Sequence, residues 1–322
     1  MARMKTRITS FFPLLKVAVL FLVIFTLSDP SFSSEFPPNI VTSNWFESQV
    51  KLPVVENPIL DFIPTDLISF LENIPEGIAL NQSVDIFLSN SFLTASEGVI
   101  LKAIFSRVYE EINKDPSFYQ SNPPPIFNFL PGKISKKGHY YFYSPKAEPE
   151  ESIIFLHGFG GNLKFYIWAM KKAFPDSLVL FPSWGLSGES INSEYLNEII
   201  QDASKKFGAK IKRPWLFAIS GGGPGGFRIY NSNLGFFKGL ISIASSPRKD
   251  QVSMIASDSK ILMINGFNDH HYPIEKVRVI TKEIIEKVRD FSVAEINSDH
   301  FFILTMHKET FTLIKAFMNK KR

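Results

Sequence analysis

From Gly138 onward, short apolar runs of strand length alternate with longer stretches of helical period. The runs are HYYFYS (139–144), SIIFLHG (152–158), SLVLFPS (177–183), PWLFAIS (214–220), GLISIAS (239–245), KILMING (260–266) and FSVAEIN (291–297). Each is rich in β-branched or aromatic residues, as strands are. Helical spacing is expected over 163–174, 194–207, 227–230 and beyond, 274–290 and 302–319. The runs from Ser152 onward are almost uniformly apolar, which is the pattern of strands covered on both faces. Such an alternation specifies an α/β fold with a mostly parallel central sheet, right-handed crossovers and helices on both faces. Working groups in these sheets gather at the carboxyl ends of the strands, so the residues that follow each run carry the functional information.

Ser220 ends the run PWLFAIS, and Gly221, Gly222, Gly223, Gly225 and Gly226 follow it closely. Gly221, Gly223 and Gly226 match the spacing of a dinucleotide-binding turn. That use needs a carboxylate about 20 residues on, at the end of the next strand. The segment there is ISIASSP (241–247), which has none. No Gly-Lys-Ser/Thr follows the glycines to make a phosphate loop. The alternative is a strained strand-to-helix turn that exposes the serine. It requires small residues two positions either side, and Ala218 and Gly222 supply them.

A serine hydroxyl needs a base in reach and a third group to orient that base. KILMINGFNDHHYP ends with Gly266, Phe267, Asn268 and Asp269, and FSVAEINSDHFFIL reaches Asp299 and His300. Upstream, His157-Gly158-Phe159-Gly160-Gly161 follows another strand, where glycines let backbone N–H groups turn toward a developing oxyanion. Asp299 adjoins His300 on the same strand end and so points elsewhere, which leaves Asp269 as the expected acid. His139 opens a strand and His307 lies in the last helix, and both are expected at the surface; His157 belongs to the glycine-rich loop and reads as structural. His270 and His271 follow Asp269 directly, but adjacent histidines are poorly spaced for one metal ion.

Taken in order, the His157-Gly158 strand end, the Ser220 turn, Gly266-x-x-Asp269 and Asp299-His300 resemble the α/β-hydrolase family over residues 138–322. Gly185-x-Ser187-Gly188-x-Ser190 is similar to that family's loop after the strand before the turn. The resemblance implies an α/β-hydrolase fold and a serine hydrolase, with a carboxylesterase foremost. Ser220 would be the nucleophile, His300 the base and Asp269 its orienting acid. The amides of Phe159 and Gly221 would form the oxyanion hole. It implies no metal and no organic cofactor, and a small-molecule or lipid-like ester as substrate. A lipase, peptidase or acyltransferase on the same three residues, and a non-catalytic hydrolase-like envelope protein, are the other readings. The aromatics Phe159, Trp184, Phe267, Tyr272, Phe301 and Phe302 fall near strand ends, where they could line an apolar pocket.

Many members of the family carry a cap inserted after the strand that follows the nucleophile. Here only residues 246–259 separate that strand from the next, so any lid must come from 183–193 or from the preceding segment. Residues 34–137 are expected to be mainly helical or irregular, with 121–137 a linker around Pro123-Pro124-Pro125. A short helix is expected from Asp66 to Asn73. A longer one runs from Thr94 to Asn113, with a capping box of Thr94 and Glu97. Its apolar stripe reads as Val99, Ile100, Ala103, Ile104, Val108 and Ile112. The stripe must pack on the hydrolase domain, either over Ser220 or on its back.

Residues 1–33 read as a targeting segment. Arg3, Lys5 and Arg7 precede the apolar stretch Val17 to Leu27, and Ser31 and Ser33 suit a cleavage site. A retained anchor from Ile8 to Leu27, interrupted by Pro13 and Lys16, is the alternative. Either way the remainder is expected outside the cytoplasm, with the membrane involved only through this segment. Most of the formal +4 charge lies in that segment, on Arg3, Lys5, Arg7 and Lys16 against Asp29. The rest is close to neutral, which gives no basis for a nucleic-acid partner. The chain has no cysteine, so neither a disulfide framework nor a lipidated cysteine enters the reading. Expression in a cell with general secretion is expected to release a mature form beginning at Ser34, as read by N-terminal sequencing. Retention of Met1 on a membrane-bound product would identify the anchor instead.

Overall fold

The computed structural model of the chain describes residues 39–54, 73–91, 93–118, 125–129 and 137–320, with side-chain detail throughout except at position 127. The targeting segment expected over 1–33 lies outside these residues, as does the helix expected from Asp66 to Asn73 except for Asn73 itself, which is in a turn. The described strands are β1 (Val41–Glu47), β2 (Lys137–Tyr143), β3 (Glu151–Leu156), β4 (Ser177–Ser183), β5 (Trp215–Ile219), β6 (Gly239–Ile243), β7 (Lys260–Gly266) and β8 (Asp290–Ile296). They form one sheet in the order β1-β2-β4-β3-β5-β6-β7-β8. β2 is antiparallel to β1 and β4, and the pairs from β4–β3 to β7–β8 are parallel.

The helices are α1 (Glu76–Ser89), α2 (Ala95–Lys114), α3 (Lys164–Ala173), α4 (Ser193–Phe207), α5 (Gly223–Ser232), α6 (Lys249–Met254), α7 (Ile274–Ile285), α8 (Phe302–Thr305) and α9 (His307–Met318). The period of two along each strand sends alternate side chains to opposite faces. Ile153, Phe155, Phe217 and Ile219 enter one core with residues of α2, α3, α8 and α9. Ile154, Leu156, Leu216 and Ala218 enter the other, with α4, α5, α6 and α7. This is an α/β-hydrolase fold: a mostly parallel sheet, helices on both faces, and a sharp turn from β5 into α5. β8 is the exception to the two-sided burial expected, since it closes the sheet and is only partly covered. The last helical stretch breaks at Met306 into α8 and α9.

The segment before β2 differs most from its expectation. β1 pairs with β2 along its whole length, from Val41 opposite Tyr143 to Glu47 opposite Lys137. The boundary expected between 137 and 138 therefore cuts through a sheet, and Pro37–Arg322 form one compact unit. β1 reads Val-Thr-Ser-Asn-Trp-Phe-Glu, too polar to declare itself, because an edge strand is held by backbone bonds along one side. The segment also contributes a helical hairpin, α1 and α2. The capping box forms as expected: Thr94 Oγ1 accepts from Glu97 N, and Thr94 N donates to Glu97 Oε2.

The apolar stripe on α2 is a correction. Val99 is 72% exposed and Ile100 38%, while Leu101, Phe105, Val108, Tyr109 and Ile112 face inward. The cause is the close approach of α1. A Cβ at Gly98 would sit 2.6 Å from Leu88 Cδ1, so Leu88 lies against bare backbone and fixes the rotation of α2. The hairpin then packs on α3, where Trp168 Nε1 donates to Glu111 Oε2 at 3.0 Å and Lys171 Nζ meets Asp115 Oδ2 at 2.6 Å.

Glu76, the first residue of α1, is the buried polar centre of this contact. Its Oε1 accepts from Lys164 N at 2.6 Å, at the start of α3, and from Tyr109 Oη. Leu163 gives α3 no side-chain cap, so Glu76 supplies one from a distant element, where the helix dipole favours an anion. Burial still outweighs Lys164 and Tyr109 and raises the carboxyl above its ordinary range. A raised native value means that the folded state holds the proton longer than the unfolded chain, so this group's contribution to stability falls as pH climbs from the carboxylate range. Glu76→Gln keeps the acceptor and removes the charge. The melting temperature of the variant relative to wild type is expected to rise as pH climbs above the ordinary carboxylate range and to level off once Glu76 is ionised in the folded state, and a pH-independent difference would refute this account of Glu76.

Candidate active site

The sheet brings Ser220, His300 and Asp269 together. Ser220 follows β5 at φ +48°, in the left-handed region that non-glycine residues rarely occupy. Its carbonyl accepts from Ser245 Oγ at 2.7 Å and Tyr272 Oη at 3.3 Å. Ser245 is itself held, its carbonyl accepting from Asn265 Nδ2 at 3.0 Å. Residues on the ends of β6 and β7 thus pin the turn. No sequence pattern singled out Ser245 or Asn265, since neither belongs to the ordered motif set.

Ser220 Oγ lies 2.8 Å from His300 Nε2, and His300 Nδ1 lies 2.7 Å from Asp269 Oδ2. An ionised carboxylate only accepts, so Nδ1 carries the proton and Nε2 is left to accept from the serine. Asp269 is buried, and its Oδ1 accepts from the amides of His271 and Tyr272 at 2.8 and 2.9 Å. Burial opposes its ionisation. The His300 hydrogen bond, the attraction of that ring when it is protonated, and the two amides overcome that and hold the carboxyl below its usual range. Asp299 turns away, with Oδ1 accepting from Phe301 N at 2.8 Å.

The other histidines separate by role, and His139, expected at the surface, is instead fully buried with its ring nitrogens 2.7 Å from Ser43 Oγ and from Ser183 Oγ. His270 Nδ1 is 3.3 Å from Glu97 Oε1 on α2. His271 packs edge-on against His300, with ring centroids 4.7 Å apart; burial, then the neighbouring histidines, push it down to about 4. His157 accepts from Trp184 N at 3.1 Å through Nε2, so Nδ1 donates to Gly158 O at 2.8 Å. Burial lowers His157 to about 4, so it is a neutral strut between two loops. The loop it anchors is also held by the amides of Gly160 and Gly161, both donating to Leu186 O.

That loop sets Phe159 beside Gly221. A Cβ built on Gly221 would lie 3.5 Å from Phe159 N and 2.7 Å from Ser187 Oγ. Backbone at Phe159 and Gly221 therefore shares one rim of the Ser220 turn, and a side chain at 221 would displace the Ser187 hydroxyl. An apolar cavity of about 280 Å³ opens at Ser220 and His300. Phe159, Leu163, Phe165, Ile219, Phe301 and Leu304 line one side, and the α1–α2 hairpin lines the other.

No protein-family model matches this chain, and no curated protein matches it. Solved structures that it is similar to include an esterase from Pyrococcus furiosus, at 14% identity and TM-score 0.46, over 56% of this chain and 86% of that one. Another is a predicted CIB-like hydrolase from Thermoplasma acidophilum, at 18% identity and TM-score 0.44, over 56% and 92%. A third is a monoacylglycerol lipase from Paleococcus ferrophilus, at 14% identity and TM-score 0.41, over 56% and 99%. Likenesses this weak add nothing to what the geometry says about chemistry.

The meeting of Asp269 with His300 depends on contact between two loops. Phe267 N donates to Ile296 O at 2.7 Å and Asn268 N to Ser298 O at 2.9 Å. Gly266 makes this approach possible, because a Cβ there would sit 2.4 Å from Asp299 O and 2.7 Å from Ser298 O. Backbone cannot swing aside as a side chain can. Gly266→Ala is expected to destabilise the protein by about 1–3 kcal/mol and to separate the acid from the imidazole. Thermal denaturation reads the first effect, and loss of the low-field imidazole N–H proton resonance reads the second.

Proposed function

We propose that this chain is a serine hydrolase that cleaves carboxylic esters through an acyl-enzyme. One observation carries the reading: a serine at φ +48° whose Oγ is 2.8 Å from an imidazole, which in turn is 2.7 Å from a buried carboxylate. In the proposed mechanism Ser220 Oγ attacks the ester carbonyl carbon while His300 Nε2 takes its proton. Asp269, kept ionised, orients the imidazole and stabilises its cationic form without taking the proton. The amides of Phe159 and Gly221 receive the oxyanion, at roughly 3 kcal/mol of transition-state stabilisation per donor. Collapse of the intermediate breaks the carbon–oxygen bond of the leaving alcohol, which departs with the proton from His300. Water, activated by the same imidazole, then releases the acid and restores Ser220. The targeting segment supports placing this activity outside the cytoplasm. Among the described residues no helix is long and apolar enough to cross a membrane.

The test is labelling with a fluorophosphonate together with hydrolysis of p-nitrophenyl butyrate. Wild type is expected to lose activity in step with labelling of Ser220, and Ser220→Ala to show neither. His300→Ala should lose both, and Asp269→Asn should lower kcat by about 10⁴-fold. If Asp299→Asn is the damaging change instead, the acid has been misassigned; an active Ser220→Ala protein would refute the reading as a whole.

A further inference from the structure

We infer that the α1–α2 hairpin, which precedes the greater part of the hydrolase fold, is the acyl-chain selector of this site, and that the substrates are esters of medium-chain aliphatic acids. The inference rests on the serine-hydrolase reading and adds to it the substrate class and the element that sets it.

The cavity at Ser220 has two walls, and the hairpin supplies one of them through Leu80, Val84, Phe87, Leu93, Leu101 and Phe105. Among the described residues its lining includes no lysine, arginine, aspartate or glutamate. The hairpin's polar contribution among the described residues is Ser83, whose hydroxyl donates back to Ala79 O at 2.8 Å. The remaining polar lining residues, among them Tyr166, His271 and Tyr272, belong to the core side with Ser220 and His300. A cavity that is polar near its reacting end and hydrocarbon elsewhere accepts an uncharged chain attached to a polar head.

The part of the ester held there is the acyl part. In a two-step mechanism the alcohol leaves before water attacks, while the acyl group stays bound to the serine. A cavity that opens at Ser220 is filled through both steps only by the group that stays on the serine, which is the ground for assigning it to the acyl chain. At about 30 Å³ per heavy atom, roughly the share of one molecule in liquid water, a cavity of about 280 Å³ holds a chain of about eight to ten carbons.

The hairpin is anchored where it can act on the site. Glu97, at the start of α2, reaches His270, the residue beside Asp269. At the start of α1, Glu76 bonds to the first amide of α3. The Glu76 bond ties one end of the wall to α3 and the Glu97 contact brings its other end beside the acid loop, and between them the side chains of the hairpin set the cavity's length.

The experiment measures kcat/KM for p-nitrophenyl esters from two to sixteen carbons, alongside labelling of Ser220 by a short ethyl fluorophosphonate. Wild type is expected to gain about fourfold per added methylene among the shorter esters, to peak at about eight to ten carbons, and to fall by sixteen. Leu80 and Phe87 are only partly buried, so changes there spare the fold. Leu80→Trp should move the optimum to shorter chains and Phe87→Ala to longer ones, with melting temperatures checked for both. A labelled Ser220 with a flat profile, or an optimum that neither variant moves, would overturn the selector and leave the hydrolase standing. Absence of both labelling and ester cleavage would remove the hydrolase reading, and this inference with it.

Discussion

The backbone of Ser220 is the constraint on which the site depends. A non-glycine residue at φ +48° costs on the order of 1–3 kcal/mol and persists only where the surroundings over-determine it. Here the surroundings are the ends of three parallel strands. β5 delivers the serine, β6 leads to Ser245, and β7 leads to Asn265 and onward to Tyr272, with both Ser245 and Tyr272 donating to the Ser220 carbonyl. Because both faces of these strands are covered, their ends cannot shift independently. The strain is thereby held by the sheet itself, and the hydroxyl stands at a fixed place toward His300.

The second organising contact is the seating of the hairpin on α3. Burying large apolar side chains such as Leu101, Phe105, Val108 and Ile112 favours it by roughly 1.5–3 kcal/mol each. Against that stands Glu76, a carboxylate taken out of water, satisfied at Oε1 by the amide of Lys164 and the hydroxyl of Tyr109. Such a group adds little net stability, because its desolvation cost is close to what its bonds return. It adds register instead: the start of α1 can meet the start of α3 in one way only. That register brings Leu80, Val84 and Phe87 to the cavity beside Ser220.

Several of these features were legible in the chain alone, for identifiable reasons. The runs of β3 to β7 are apolar on both faces, so their identity survives any local ambiguity. The small residues Ala218 and Gly222 around Ser220 answer a steric demand that acts within a few positions. Asp269 was separable from Asp299 because a residue next to His300 in the chain points its side chain away from the imidazole, and the three side chains that meet are the three taken from chain order. β1 gave no such signal, being a polar edge strand whose partner is remote in the chain, with Val41 opposite Tyr143 and Glu47 opposite Lys137. The inward face of α2 was misread because Val99 and Ile100 suit the helical period as well as Leu101 and Phe105 do. Leu88 against Gly98 decides between the two faces, and it sits on another helix.

What the sequence by itself determined is the set of local and periodic demands: a parallel sheet, the places where its strands end, a strained serine turn, and an acid and a histidine at later strand ends. These follow from the period of hydrophobicity and from sterics between near neighbours, which any stretch of chain carries with it. Only the tertiary structure decided that β1 joins the sheet, which face of α2 is buried, that Glu76 caps α3, and that the hairpin walls a cavity at Ser220. Each of those outcomes is a choice among several chemically acceptable surfaces. The choice is made by contacts between residues far apart in the chain, which no local pattern records.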